Sequence, residues 1–202
     1  MAGDREAGPG GPVTLTLRGR TVTLRPFRAG EVERLVQVWS TASPGGSAGH
    51  RGVPERERIE QRVARSGAWS DEDGEGLWLA IEAAGRLVGE IQARSPRGGL
   101  PPGVFELGVE LHEPSDRGRG LGSEAVAELA GYLFREEQAH RVQMSTDVDN
   151  AAMRAVAERL GFTLEGVLRG FMPGTRGARD HAMYGMTRND WENEKDRWIR
   201  TG

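Results

Sequence analysis

Residues 114–125 read Pro114-Ser115-Asp116-Arg117-Gly118-Arg119-Gly120-Leu121-Gly122-Ser123-Glu124-Ala125. Glycines at alternate positions let a backbone turn tightly and aim several N–H groups outward. Upstream lies a short apolar run, 104–111. Downstream, Ala125, Val126, Leu129, Leu133 and Phe134 recur at helical spacing. A glycine-rich turn between a strand and a helix places the positive end of the helix dipole behind its amides, and such a loop binds phosphate oxygens. A Rossmann fingerprint needs a third glycine where Ser123 stands, and a Walker loop needs Lys-Ser/Thr after its last glycine. Neither is present.

Working outward, residues 13–17 and 21–24 alternate with period two around Arg18-Gly19-Arg20, which predicts a pair of short strands. Val32, Leu35, Val36 and Trp39, then Ile59 and Val63 after Pro54, predict two helices joined by a Gly/Ser loop over 43–52. Runs at 77–81 and 87–91 around Ala84-Gly85 predict a second hairpin. After the helix at 125–134 come a strand over 142–148 and a helix carrying Met153, Val156, Ala157 and Leu160, closed by Gly161. Two strands over 162–168 and 181–187 finish the pattern, with 170–180 as the loop between them. This order predicts one α/β domain over 13–192, a mixed sheet covered by helices. Residues 1–12, rich in Gly and Pro without an apolar anchor, and 193–202 are expected as tails.

The 202 residues carry 27 cationic and 30 acidic side chains, a net charge of -3, and Lys195 is the only lysine. That balance argues against a general nucleic-acid binder, which shows a basic footprint. No apolar run is long enough to cross a bilayer, and the first six residues lack a signal peptide's apolar centre, so a cytoplasmic protein without membrane contact is expected. Cysteine is absent, which removes disulfides, thiolate metal sites and cysteine nucleophiles. His50, His112, His140 and His181 are scattered without metal-ligand spacing, so no metal is expected. A Gly-x-Ser-x-Gly elbow is missing, and with it support for an acyl-serine route. The acidic run Asp71, Glu72, Asp73 and Glu75 reads either as a cation-attracting patch or as a solvated loop.

Arg117-x-x-Gly120-x-Gly122 resembles the Arg/Gln-x-x-Gly-x-Gly/Ala signature of the GNAT acetyltransferases. Asn150-Ala151-Ala152-Met153 and Glu158-Arg159-Leu160-Gly161-Phe162 resemble the family's next segment, Asn-x-x-Ser…Glu-Lys-x-Gly-Phe. Residues 163–169, with Asp190-Trp191, are similar to the branch that acetylates ribosomal-protein N-termini. The resemblance runs from about residue 21 to 191, and one departure is Met153, which stands where many relatives have Ser. It implies a mostly antiparallel central sheet flanked by helices, acetyl-CoA as donor, and an amine acceptor such as a protein N-terminus or a small molecule. A homodimer is also expected from that branch.

By the same resemblance, backbone amides of Arg117, Gly118, Arg119, Gly120, Leu121 and Gly122 would hold the CoA pyrophosphate, with Arg117 and Arg119 adding charge, and Asn150 would touch the pantetheine arm or the thioester end. The strand before the loop would splay from its neighbour, leaving amides near Val109 and Leu111 to bind the pantetheine and polarise the acetyl carbonyl. An amine acceptor arrives protonated, so direct attack on the thioester needs a proton acceptor. Period two puts Glu106, Gly108 and Glu110 on one strand face. Glu106 is the first candidate base, because its spacing ahead of Arg117 resembles that of the base in histone-type relatives. Glu110 follows, Glu165 is a further carboxylate, and Tyr184 is a candidate acid for the thiolate. A different class remains open, an acyl-CoA-sensing module without turnover, since the family's serine is replaced by Met153.

Overall fold

The computed structural model of the protein describes residues 4–7, 13–41, 55–70, 76–94, 99–174 and 177–201. The first predicted pair of strands forms as β2 (Val13–Arg18) and β3 (Val22–Arg25), and the two helices as α1 (Val32–Thr41) and α2 (Arg56–Arg65). The second hairpin is β4 (Leu77–Ala83) and β5 (Arg86–Arg94). Its turn residues Ala84 and Gly85 both have positive φ, 49° and 75°, the geometry of a tight hairpin turn. There follow β6 (Val104–Leu111), α3 (Leu121–Arg135), β7 (Arg141–Asp147), α4 (Ala151–Arg159), β8 (Thr163–Gly174), β9 (Gly177–Thr187) and α5 (Arg188–Thr201).

Among the described residues the sheet order is β1-β2-β3-β4-β5-β6-β7-β9-β8, with β1 at Asp4–Ala7. Every pairing is antiparallel except β6 with β7. The layers follow from β4, which is apolar on both sides. Leu77, Leu79 and Ile81 pack with Ala125, Val126, Leu129 and Leu133 of α3, while Trp78 and Ala80 pack with Val32, Leu35 and Trp39 of α1 and Ile59 and Val63 of α2. A strand covered on both faces reads as a continuous apolar run, not an alternating one. Each fully buried Leu or Ile in these layers is worth about 1.5–3 kcal/mol.

Three expectations change. Within the segment expected as an N-terminal tail, Asp4–Ala7 pairs antiparallel with β2. Of the loop expected over 170–180, residues 170–174 and 177–180 belong to β8 and β9, where pairing resumes at Met172↔Arg179 after an irregularity following Leu168. The C-terminal segment continues α5, and the Trp198 indole donates to the Leu160 carbonyl at 3.0 Å. The Gly/Ser loop over 43–52 and the acidic run at 71–75 lie outside the described residues.

Candidate active site

The parallel pair opens along its length. β6 and β7 are in register only from Val104↔Arg141 to Glu106↔Gln143, and beyond that β6 keeps β5 alone. The direction of the freed backbone groups follows from register. The His112 amide donates to the Val88 carbonyl on β5 at 3.0 Å, so the even-numbered positions 106, 108 and 110 turn their N–H and C=O toward β5. Val109 and Leu111 therefore turn theirs into the gap. This is the splay expected between the strand before the loop and its neighbour.

Both strands of a parallel pair run the same way, so the helices that follow them begin at the open end of the gap. Pro114–Asp116 makes one 3-10 turn, and Gly120, at φ 83° in the left-handed region, is the N-cap of α3. Gly118 also has a positive φ, 72°, and no heavy atom lies within 4 Å of where a Cβ would stand at either glycine. The open cradle fits a diphosphate on the first, unpaired amides of α3. Arg117 is exposed, and its guanidinium donates to the Leu111 carbonyl at 3.4 Å. Arg119 reaches the fully buried Asp116 at 3.4 Å, and Asp116 is also gripped by both terminal nitrogens of Arg86. The Arg86 hydrogen bonds, more than the charge of Arg119, hold the Asp116 carboxyl below the usual range. Glu124 points away from the cradle, accepting from the amides of Thr21 at 2.7 Å and Val22 at 3.3 Å, and so ties the first turn of α3 to β3.

Asn150 caps α4. Its Oδ1 accepts from the Met153 amide at 3.1 Å, and its side-chain amide nitrogen has no hydrogen bond among the described residues. That nitrogen can donate to a ligand carbonyl. Met153 packs against the core, so the position where relatives carry Ser supplies a wall and no hydroxyl.

The candidate acid–base residues separate. Glu106, Gly108 and Glu110 share one face, as expected. Glu106, 9% exposed, is held by the half-exposed Arg94 guanidinium and by Gln143 Nε2 at 3.0 Å. Glu165 is gripped by both terminal nitrogens of Arg141, whose hydrogen bonds hold its carboxyl below the ordinary value. Tyr184 is fully buried under α4, donating to Glu158 at 3.0 Å and accepting from Arg154 at 3.3 Å. Its phenol is committed to α4, with the proton on Glu158 and the oxygen accepting from Arg154.

Glu110 stands elsewhere. It lines a cavity with Trp78, Glu90, Gln92, Gly108 and Val109 that has room for about one water-sized group. Glu90, directly across the ladder from Glu110, is 4% exposed and accepts from the indoles of Trp39 at 3.3 Å and Trp78 at 3.1 Å. Sequence reading passed over it. The signal was there in Leu87-Val88-Gly89-Glu90-Ile91, a lone acid inside an apolar run where a buried strand has no reason to hold a charge.

The acetyltransferase (GNAT) domain model matches residues 21–163. The mycothiol acetyltransferase of Paenarthrobacter aurescens is 34% identical over 145 residues, 70% of this chain and 42% of that protein. A putative ribosomal N-acetyltransferase, YdaF of Bacillus subtilis, is 35% identical over 78 residues, 39% of this chain and 43% of its own. The chain thus spans less than half the length of these curated relatives. Mycobacterium smegmatis RimJ, solved with CoA-disulfide, shares the fold at a TM-score of 0.71 and 22% identity, over 92% of each chain. A likeness that covers the splayed strands, the glycine cradle and the cap of α4 in one continuous alignment fixes the family: this chain belongs to the GNAT acetyltransferases.

Proposed function

We propose that the protein is an acetyl-CoA-dependent N-acetyltransferase that moves the acetyl group to a primary amine by direct transfer in a ternary complex. The observation that carries this reading is the β6–β7 gap, which has backbone amides along one wall and a helix N-terminus on either side of its open end. The pyrophosphate sits on the amides of 117–122, with Arg117 and Arg119 at its rim. The Asn150 amide donates to the pantetheine arm, and the Val109 and Leu111 amides face the thioester. A backbone donor aimed at the developing oxyanion is worth ~3 kcal/mol in such reactions. A carboxylate on the Glu106–Glu110 face takes the proton that the incoming ammonium must lose, and no covalent acetyl-enzyme is needed.

The acceptor is an amine of a protein N-terminus or of a small molecule in the cytoplasm. In this reading the protein pairs as a homodimer through Leu164, Val167 and Phe171, exposed on edge strand β8, and sedimentation that finds only monomer removes that part. The enzyme reading is tested by steady-state release of CoA thiol with acetyl-CoA and a panel of amines: a short peptide with a free α-amine, a polyamine and an aminoglycoside. Amine-dependent release supports it. Tight acetyl-CoA binding without release by any of them supports the sensing module instead.

A further inference from the structure

Resting on the transferase reading, we infer that Glu90, with Glu110 beside it, is the group that receives the acceptor's ammonium and takes its proton. The geometry begins with register. Positions 90 and 110 are a hydrogen-bonded cross-strand pair, so their side chains rise together from the same face of the sheet, about 5 Å apart at Cβ. Both line a cavity that Val109 also lines, and the Val109 amide turns toward the β6–β7 gap. The two carboxylates thus stand on β5 and on β6, the strand whose other edge faces the β6–β7 gap. The cavity's size suits an ammonium head or one relaying water and excludes a bulky amine.

The surroundings keep Glu90 in place and basic. Trp39 from α1 and Trp78 from β4 donate one indole N–H to each carboxylate oxygen. Arg62 from α2 lies over the Trp78 ring at 4.0 Å, and Glu110 faces Glu90 across the ladder from β6. Burial raises the Glu90 carboxyl to about 7; Arg62 and the two indoles pull it down, and Glu110 pushes it up. An α-ammonium titrates near 8 and an ordinary glutamate near 4.3, so this change brings acceptor and donor within about one unit, where proton transfer is efficient.

The steps balance. The ammonium gives one proton to Glu90, and the freed lone pair forms the C–N bond at the thioester carbonyl. The C–S bond then breaks, and the thiolate leaves with its electron pair. The nitrogen's second proton goes to the thiolate, and Glu90 returns its own proton to solvent past Glu110. Glu106 is paired with Arg94 instead and, in this inference, is not the acceptor of the proton. The acceptor class follows: a cationic primary amine on a slender arm.

Glu90→Gln is the direct test, with acetyl-CoA affinity by calorimetry and the kcat/KM pH profile measured on the amine that the wild type accepts. Unchanged affinity, a 10²–10⁴-fold lower kcat and loss of the limb near pH 7 are expected. Because glutamine satisfies one indole and not both, Glu110→Gln is measured in parallel. Removing that negative neighbour should move the same limb to lower pH, which a structural role for Glu110 would not do. A folded Glu90→Gln protein that turns over like wild type with its limb intact overturns the inference and leaves the transferase reading standing. So does loss of the limb in Glu106→Gln, or an unmoved limb in Glu110→Gln. Failure of the wild type to acetylate any amine overturns both.

Discussion

Gly120→Asp puts a carboxylate where the account seats a diphosphate. Gly120 is the N-cap of α3 at φ 83°, and no heavy atom lies within 4 Å of a Cβ built there, so the change meets no clash. The left-handed conformation costs an L-residue about 1–2 kcal/mol. That cost falls on the free and bound protein alike and lowers stability, not affinity. What differs on binding is charge: two like charges at 4 Å repel by about 1 kcal/mol in water and about 4 kcal/mol at a protein surface. The expected loss of acetyl-CoA affinity is therefore roughly 5- to 1000-fold. Gly120→Ala carries the strain without the charge and should bind within a few-fold of wild type. Calorimetry on both variants, each checked for a cooperative melt, separates the two effects, and the Asp penalty should shrink as salt is raised. If the folded Asp variant binds as well as the Ala variant, the diphosphate does not sit on this helix N-terminus.

Two further outcomes follow from the packing. Burial, with Arg34 beside it, pushes His112 down to about 4, so the unfolded chain binds more protons between pH 6.5 and 4 and stability falls as pH drops through that window. His112→Gln removes a loss of about 2 kcal/mol at pH 5, so the variant's melting temperature should gain on the wild type by about 4–8 °C between pH 7.5 and pH 5; a constant difference contradicts this. Deleting 193–202 removes the Trp198 contact with Leu160 and the core, and should cost about 2–3 kcal/mol, whereas a free tail would cost nothing in a denaturant melt.

The sequence made the α/β order plain wherever side chains bury on one side. The alternation at 21–24, the doubly apolar 77–81 and the helical stripe at 125–134 all reappear as β3, β4 and α3. It failed where backbone pairing alone decides. Asp4–Ala7 has no apolar anchor and is a strand through its ladder to β2. Gly170, Pro173, Gly174 and Gly177 look like a loop, yet an edge hairpin with irregular register accommodates them. Trp191 and Trp198, seven residues apart, were the signal for α5. The glycine turn between β6 and α3 was legible because glycine spacing is a backbone property. The pairing of the acids was not, since it depends on cross-strand partners: Arg94 pairs with Glu106, and Glu90 faces Glu110.

The central claim is geometric, that the β6–β7 gap holds acetyl-CoA with its thioester against β6. A crystal structure of the acetyl-CoA complex tests it most directly. The account predicts the pyrophosphate within hydrogen-bond distance of the amides that open α3, the pantetheine between β6 and β7 beside Asn150, and the acetyl carbonyl on the Val109 or Leu111 amide. A nucleotide bound elsewhere, with β6 and β7 closed on each other, would contradict it.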